Sequence, residues 1–309
     1  MKTTPYIMSL SENVIKALEF FVKNPPPSFN TSKFKLPFVV GSGNAYNTGL
    51  ILFSKTSALY ADESTFKTTL SAFKSAITNK VITQAVIISA SGEKDSVWEV
   101  EIAKKFGLKT TLLTTKKESS ATKIADTVLV YSSIDEPYTY NVSTYLGMIL
   151  SSTGENPQRI LNIIKNFKLP KSFSSYSAYS FVVPDAYSQI CPMLDIKKSE
   201  LFGPNLSLRA FSEGHARHAK FVIRSPKELV ISIGVENSYY GLPTHRLSIP
   251  LQKSSDYGQV LALTYYMVGK IQECKRQYYK EHINRYVSDY GPKAYGKTQA
   301  FELIVPGTL

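Results

Sequence analysis

The strongest constraint on this chain is an alternation. Between residues 38 and 151, short apolar runs alternate with helix-like stretches, and the runs empty into turns of small residues. Phe38-Val39-Val40 enters Gly41-Ser42-Gly43-Asn44-Ala45-Tyr46, and a helix is expected over about 46–56. Ala58-Leu59-Tyr60-Ala61 is a second strand, followed by a helix over 63–76. Ala85-Val86-Ile87-Ile88 enters Ser89-Ala90-Ser91-Gly92-Glu93-Lys94-Asp95-Ser96, with a helix over 96–106 and Gly107 at its C-cap. Strands over 108–113 and 127–131 and a helix over 137–151 complete the set. Strand cores that are apolar at every position are buried on both faces. The pattern therefore predicts an α/β fold, a parallel sheet covered by helices in three αβα layers.

The order repeats further on. Strands are expected at 179–183, 206–211, 229–234 and 246–249, with helices over 185–201, from 212, and over 256–285. This predicts an internal duplication with two such units. The divisions are 1–35 (a helix over 5–23, then a linker holding Pro25-Pro26-Pro27), 36–153, a linker helix in 154–176, 177–285, and a tail over 286–309 rich in Tyr, Gly and Pro.

Composition narrows the function. Apolar residues make up 43% of the 309, enough for a sizeable core. No apolar run approaches a membrane span, so no membrane partner is expected. Met1-Lys2-Thr3-Thr4-Pro5 has no apolar segment of the kind a secretory leader needs. The two cysteines, Cys191 and Cys274, lack metal-ligand spacing and read as free thiols of a cytoplasmic protein. The net charge of +12 is dispersed; its longest clusters are pairs such as Lys104-Lys105 and Lys197-Lys198. That weighs against nucleic acid as the main partner. A basic field does attract small phosphorylated ligands.

In open parallel sheets, ligands bind beyond the carboxyl ends of the strands, where helix N-termini offer unpaired N–H groups and a positive dipole end. Two turns occupy such positions, 41–46 and 89–96. Ser89 and Ser91 add hydroxyls, Gly92 allows close backbone approach, and Lys94 adds charge. A plainer reading is that Ser96-Val97-Trp98-Glu99 is a capping box that starts a helix. Gly41-Ser42-Gly43 lacks the third glycine of a dinucleotide fingerprint, and no lysine-serine or lysine-threonine pair follows it as in a P-loop.

Taken together, the two turns, Gly107-Leu108-Lys109, Leu112-Leu113-Thr114, Ala125-Asp126-Thr127-Val128-Leu129 and Glu136 with Tyr138-Thr139-Tyr140 resemble a sugar isomerase (SIS) domain over about 36–152. The whole chain resembles the double-SIS layout of the isomerase part of glucosamine-6-phosphate synthase and of archaeal phosphoglucose/phosphomannose isomerases. The resemblance implies a phosphorylated sugar as ligand, held by Ser89, Ser91 and the backbone at Gly92, with Ser42, Gly43, Asn44, Lys94 and Ser96 around them. It also implies a homodimer and no cofactor. The family often has Ser or Thr where Ala45 stands and Thr where Lys94 stands.

Aldose–ketose isomerisation needs a base to move a proton between C2 and C1 and an acid/base to open the ring; a carboxylate of raised pKa and a histidine suit those roles. The resembled enzymes carry Lys-x-x-Glu on the first helix of the second unit, followed by Glu-x-x-His. Lys197-Lys198-Ser199-Glu200 matches the first. Ser212-Glu213-Gly214-His215-Ala216-Arg217-His218 matches the second imperfectly, because Ala216 stands where the histidine is expected. The resemblance thus nominates Glu200 as base and His215 as ring-opening group, with His218 second.

Each has a plainer reading. Glu200 also suits a solvated position beside its lysines, and Glu213 suits a helix N-terminus. Histidines three apart suit a metal, but only Glu213 or distant acids stand by to complete a shell, so no metal is expected. His245 and His282 read as structural, and Tyr265-Tyr266 and Tyr278-Tyr279 as packing. Gly234-Val235-Glu236-Asn237-Ser238 lacks the serine-glycine loop, so no second phosphate site is expected. Ala45, Lys94 and the displaced histidine leave open a second reading, a non-catalytic sugar-phosphate-binding or regulatory protein.

Overall fold

The apolar runs of the first half form one parallel sheet: β1 (Phe38–Gly41), β2 (Leu59–Ala61), β3 (Gln84–Ile88), β4 (Lys109–Thr114) and β5 (Thr127–Val130). The structure is a computed structural model that describes residues 6–219 and 224–285 and the backbone of 304–305; the rest of the 286–309 tail lies outside the described residues. The strand order is β2-β1-β3-β4-β5, and every pairing is parallel. The helices are α1 (Leu10–Lys23), α2 (Asn44–Leu52), α3 (Phe66–Ala72), α4 (Lys74–Thr78), α5 (Asp95–Lys105) and α6 (Val142–Thr153), the last preceded by a two-residue strand β6 (Glu136–Pro137). One core joins Phe38, Val40, Ala85 and Ile87 of the sheet to Phe66, Leu70, Val100 and Ala103 of the helices. The continuous apolar strands thus serve the doubly covered sheet their composition predicts.

A second parallel sheet follows, ordered β10-β9-β7-β8. Its strands are β7 (Ala178–Val183), β8 (Ser207–Ser212), β9 (Glu228–Ile233) and β10 (Arg246–Ile249). Its helices are α7 (Pro157–Asn166), α8 (Ile190–Phe202), α9 (Glu213–Ala219) and α10 (Tyr257–Cys274), and 278–285 is again helical, α11. Among the described residues, 20–136 and 141–154 gather around the first sheet; 6–19, 137–140, 155–219 and 224–285 gather around the second. The α/β class with parallel sheets is as expected. No helix among the described residues is long and apolar enough to cross a membrane.

Helix boundaries differ from expectation where side chains compete for backbone groups. The first helix starts at Leu10, because Ser9 N–H donates to Glu12 Oε2 (2.6 Å) and Glu12 N–H to Ser9 Oγ (3.2 Å), a reciprocal cap. The helix expected from 137 starts at Val142, where the Glu136 carboxylate accepts the N–H groups of Val142 (2.8 Å) and Ser143 (3.1 Å). The helix expected over 63–76 divides at Phe73 into α3 and α4. The long helix expected over 256–285 breaks after Cys274, and Gln277 Nε2 donates to the Gln272 (2.6 Å) and Lys275 (3.0 Å) carbonyls that the break frees. Nothing in local propensity announces this break, since residues 270–285 contain neither proline nor glycine.

Candidate functional site

In the first sheet the chain winds outward in opposite directions from β1 and β3, which are adjacent. The loops that leave these two strands flank the crevice of a topological switch point. They are 41–46 and 89–96. The loops start their helices with almost the same backbone: Gly43 caps α2 at φ 56°, ψ −120°, and Lys94 caps α5 at φ 60°, ψ −125°. That conformation suits glycine, so Lys94 holds it under strain.

Within the second loop, Ser89 Oγ accepts the Gly92 N–H (3.1 Å) and Ser91 Oγ accepts the Glu93 N–H (3.3 Å). Both serines are half-buried, and these bonds use their oxygens while leaving each O–H to donate. Ser96 differs. It is 2% exposed and donates its hydroxyl to the Glu93 carbonyl (2.8 Å), which anchors the start of α5. Gly92 sits at φ +62°, and a Cβ there would lie 2.2 Å from Ser119 Oγ, so conformation and space both demand glycine. In the other loop, Ser42 is half-buried and its carbonyl accepts the Ala45 N–H (3.0 Å). Asn44 is 8% exposed, and its Oδ1 has no hydrogen bond among the described residues.

The second sheet's unit holds a cavity of about 530 Å³ lined by α8 and α11, with Asp195, Ser199, Glu200, Tyr278 and His282 among its walls. Lys197 and Glu200, three apart on α8, share a helix face. Lys197 is fully buried. Its Nζ donates to Glu200 Oε2 (2.7 Å) and the Thr139 carbonyl (2.6 Å) and lies 5.8 Å from the Tyr265 ring centroid. Thr139 also lines the cavity and has φ 70°, a conformation rare for a β-branched residue. Burial pushes the Glu200 carboxyl above its ordinary range, while the Lys197 ammonium pulls it back. Its side chain remains 23% exposed. A carboxylate made more basic than usual and held by a buried cation is chemically suited to proton transfer.

The nominated histidines lie on another helix. His215 and His218 stand exposed on α9, and neither is among the cavity-lining residues. The start of α9 is tied down instead: Gly214 N–H donates to Asp185 Oδ1 (2.8 Å) and His215 N–H to Ser212 Oγ (3.4 Å). The histidine that shares Glu200's cavity is His282 on α11. On an unbroken helix it read as structural. The break at 275–277 was the missing signal. Among the described residues, no cluster of three or more His, Cys, Asp or Glu side chains could hold a metal.

No family model matches the chain, and no curated protein matches it in sequence. Solved structures do match in fold. A Clostridium difficile 630 protein assigned as a phosphosugar isomerase aligns at TM-score 0.61 and 14% identity, covering 95% of this chain and 100% of that one. Glucosamine-6-phosphate deaminase from Thermotoga maritima aligns at 0.54 and 16%, covering 89% and 92%. Tagatose-6-phosphate ketose/aldose isomerase from Escherichia coli aligns at 0.53 and 13%, covering 86% and 90%. At these identities the likeness establishes a shared fold.

Proposed function

We propose that the chain binds a phosphorylated sugar and interconverts its aldose and ketose forms, or performs the related deaminase or deglycase reaction. The observation that carries this reading is the β1/β3 switch point, flanked by two small-residue loops that each open a helix. The phosphate is received by the α5 N-terminus, the Ser89 and Ser91 hydroxyls and the backbone at Gly92, with charge from Lys94 and a second wall from Ser42, Gly43 and Asn44. Ser96 supports the loop through its backbone contact.

Glu200 acts on the open-chain sugar. Its carboxylate takes the C2 proton, the C2–H pair becomes the C1=C2 bond, and the carbonyl oxygen is protonated to give an enediol. Return of the proton to C1, with loss of the O2 proton, gives the ketose. These steps move protons only and call for no redox cofactor. A homodimer belongs to the same proposal, and light scattering of the full chain tests it.

The test has two arms. Thermal unfolding with a panel of hexose, pentose and aminosugar phosphates is repeated with Ser89→Ala/Ser91→Ala, because a ligand bound by the native state raises apparent stability by mass action. A shift lost in the double variant is expected; no shift with any phosphosugar rejects the phosphate site. Deuterium exchange at C2 is then followed in wild type and Glu200→Gln. Binding without exchange would favour the second reading, a sugar-phosphate sensor, for which Ala45 and the strained Lys94 speak.

A further inference from the structure

We infer that His282, rather than His215 or His218, is the second proton-transfer group of the Glu200 cavity, and that it opens the sugar ring. The inference rests on the reading of Glu200 as base and goes beyond it by assigning the partner. Four observations carry it. His282 and Glu200 line the same cavity, which has the volume of a small-molecule site. His282 Nδ1 lies 2.8 Å from the Tyr278 carbonyl oxygen. A carbonyl can only accept, so Nδ1 carries a proton, and in the neutral ring Nε2 is the acceptor. The ring stacks on Tyr278, with centroids 4.4 Å apart and planes 27° from parallel, so its orientation is held. Nε2 itself makes no hydrogen bond among the described residues.

The balance of the step is simple. Nε2 takes the anomeric O1–H proton, the freed pair forms C1=O1, and the C1–O5 bond breaks with its electrons moving to O5. The imidazolium then returns a proton to O5, and His282 is neutral again. Glu200 and Asp195 line the same cavity from α8, Lys197 is bonded to Glu200, and Tyr278 stacks on the imidazole from its own helix.

The test compares His282→Gln with His215→Gln and His218→Gln in the full chain. With a hexose phosphate, His282→Gln is expected to lower kcat/KM by roughly 10²-fold or more and to remove one limb of the pH profile, while the α9 variants stay near wild type. An aldotetrose 4-phosphate has no hydroxyl free to close a ring. Its C2 exchange is expected to survive His282→Gln and to be lost in Glu200→Gln, a split that a merely structural histidine would not produce. A His215 or His218 variant that loses turnover while His282→Gln keeps it overturns the assignment but leaves the proposed function standing. Wild type inactive on every phosphosugar removes that function instead. NMR of the histidine rings without ligand still decides the pairing. Glu200→Gln is expected to shift the His282 ring resonances and not those of His215 and His218; unmoved His282 resonances overturn the inference.

Discussion

Each sheet has a switch point, and the two are finished differently. Between β1 and β3 the loops are small and hydroxylated, with half-buried serines whose O–H groups are free to donate. The loop that follows β9 is apolar and self-bonded instead. A Cβ on Gly234 would lie 2.5 Å from the Leu251 side chain, and Asn237, 9% exposed, spends its amide on Tyr239 and Tyr240. The carboxylates reverse the contrast. Glu99 on α5 is 1% exposed, has an Oε1 without a hydrogen bond among the described residues, and is pushed up to about 8 by burial, with Asp95, Glu63 and Asp62 adding to the shift. Glu200 is also pushed up by burial, yet it faces a buried lysine and a cavity. A displaced pKa does not by itself mark a site; a counter-charge and room for a ligand distinguish Glu200 from Glu99.

The largest effect expected from this contrast is in turnover. Glu200→Gln should lower C2 exchange by roughly 10²- to 10⁴-fold, with some loss of stability because the buried Lys197 then lacks its counter-charge. Glu99→Gln, measured in the same assay, should leave exchange within about twofold, since general acid–base catalysis needs a group in reach of the substrate. Equal losses would erase the distinction.

Lys197→Met removes the only counter-charge that contacts Glu200 among the described residues and the donor to the Thr139 carbonyl. Breaking a buried pair on one side should cost about 3 kcal/mol in chemical denaturation at neutral pH. Gly92→Ala forces a Cβ into Ser119 at positive φ and should cost about 2 kcal/mol, with phosphosugar binding lost as well.

Glu99→Gln should instead stabilise, and the pH dependence carries the sign. The protonated acid is accommodated in full below its unfolded value of 4.5, and that contribution is lost as pH rises through about 8. The gain in the variant should therefore be small at pH 5 and reach about 1 kcal/mol or more by pH 8, read as a difference in unfolding midpoint. The smallest effect is expected at Lys94. Lys94→Gly relieves the strained φ and should change stability by less than about 1 kcal/mol, while weakening phosphosugar binding through the lost charge. Unchanged binding would separate the loop's shape from its charge.

Much of the fold was legible because its determinants are local. Continuous apolar runs such as Val86-Ile87-Ile88 can serve only a strand covered on both faces, and small residues at 41–46 and 89–96 mark where strands hand over to helices. The Lys197-x-x-Glu200 spacing places both groups on one helix face in any context. Helix starts were less legible, because at Ser9 and Glu136 a side chain competes for backbone N–H groups and moves the boundary by several residues.

By itself, then, the sequence determined the α/β class, the strand-end loops and the carboxylate that heads the candidate chemistry. Tertiary structure alone decided that Lys197 is buried, that Gly234 packs against Leu251, and that His282 rather than His215 shares Glu200's cavity. The physical reason is distance along the chain. Periodicity reports what a residue and its near neighbours can form, whereas burial, pKa and the break between α10 and α11 arise from groups that only folding brings together.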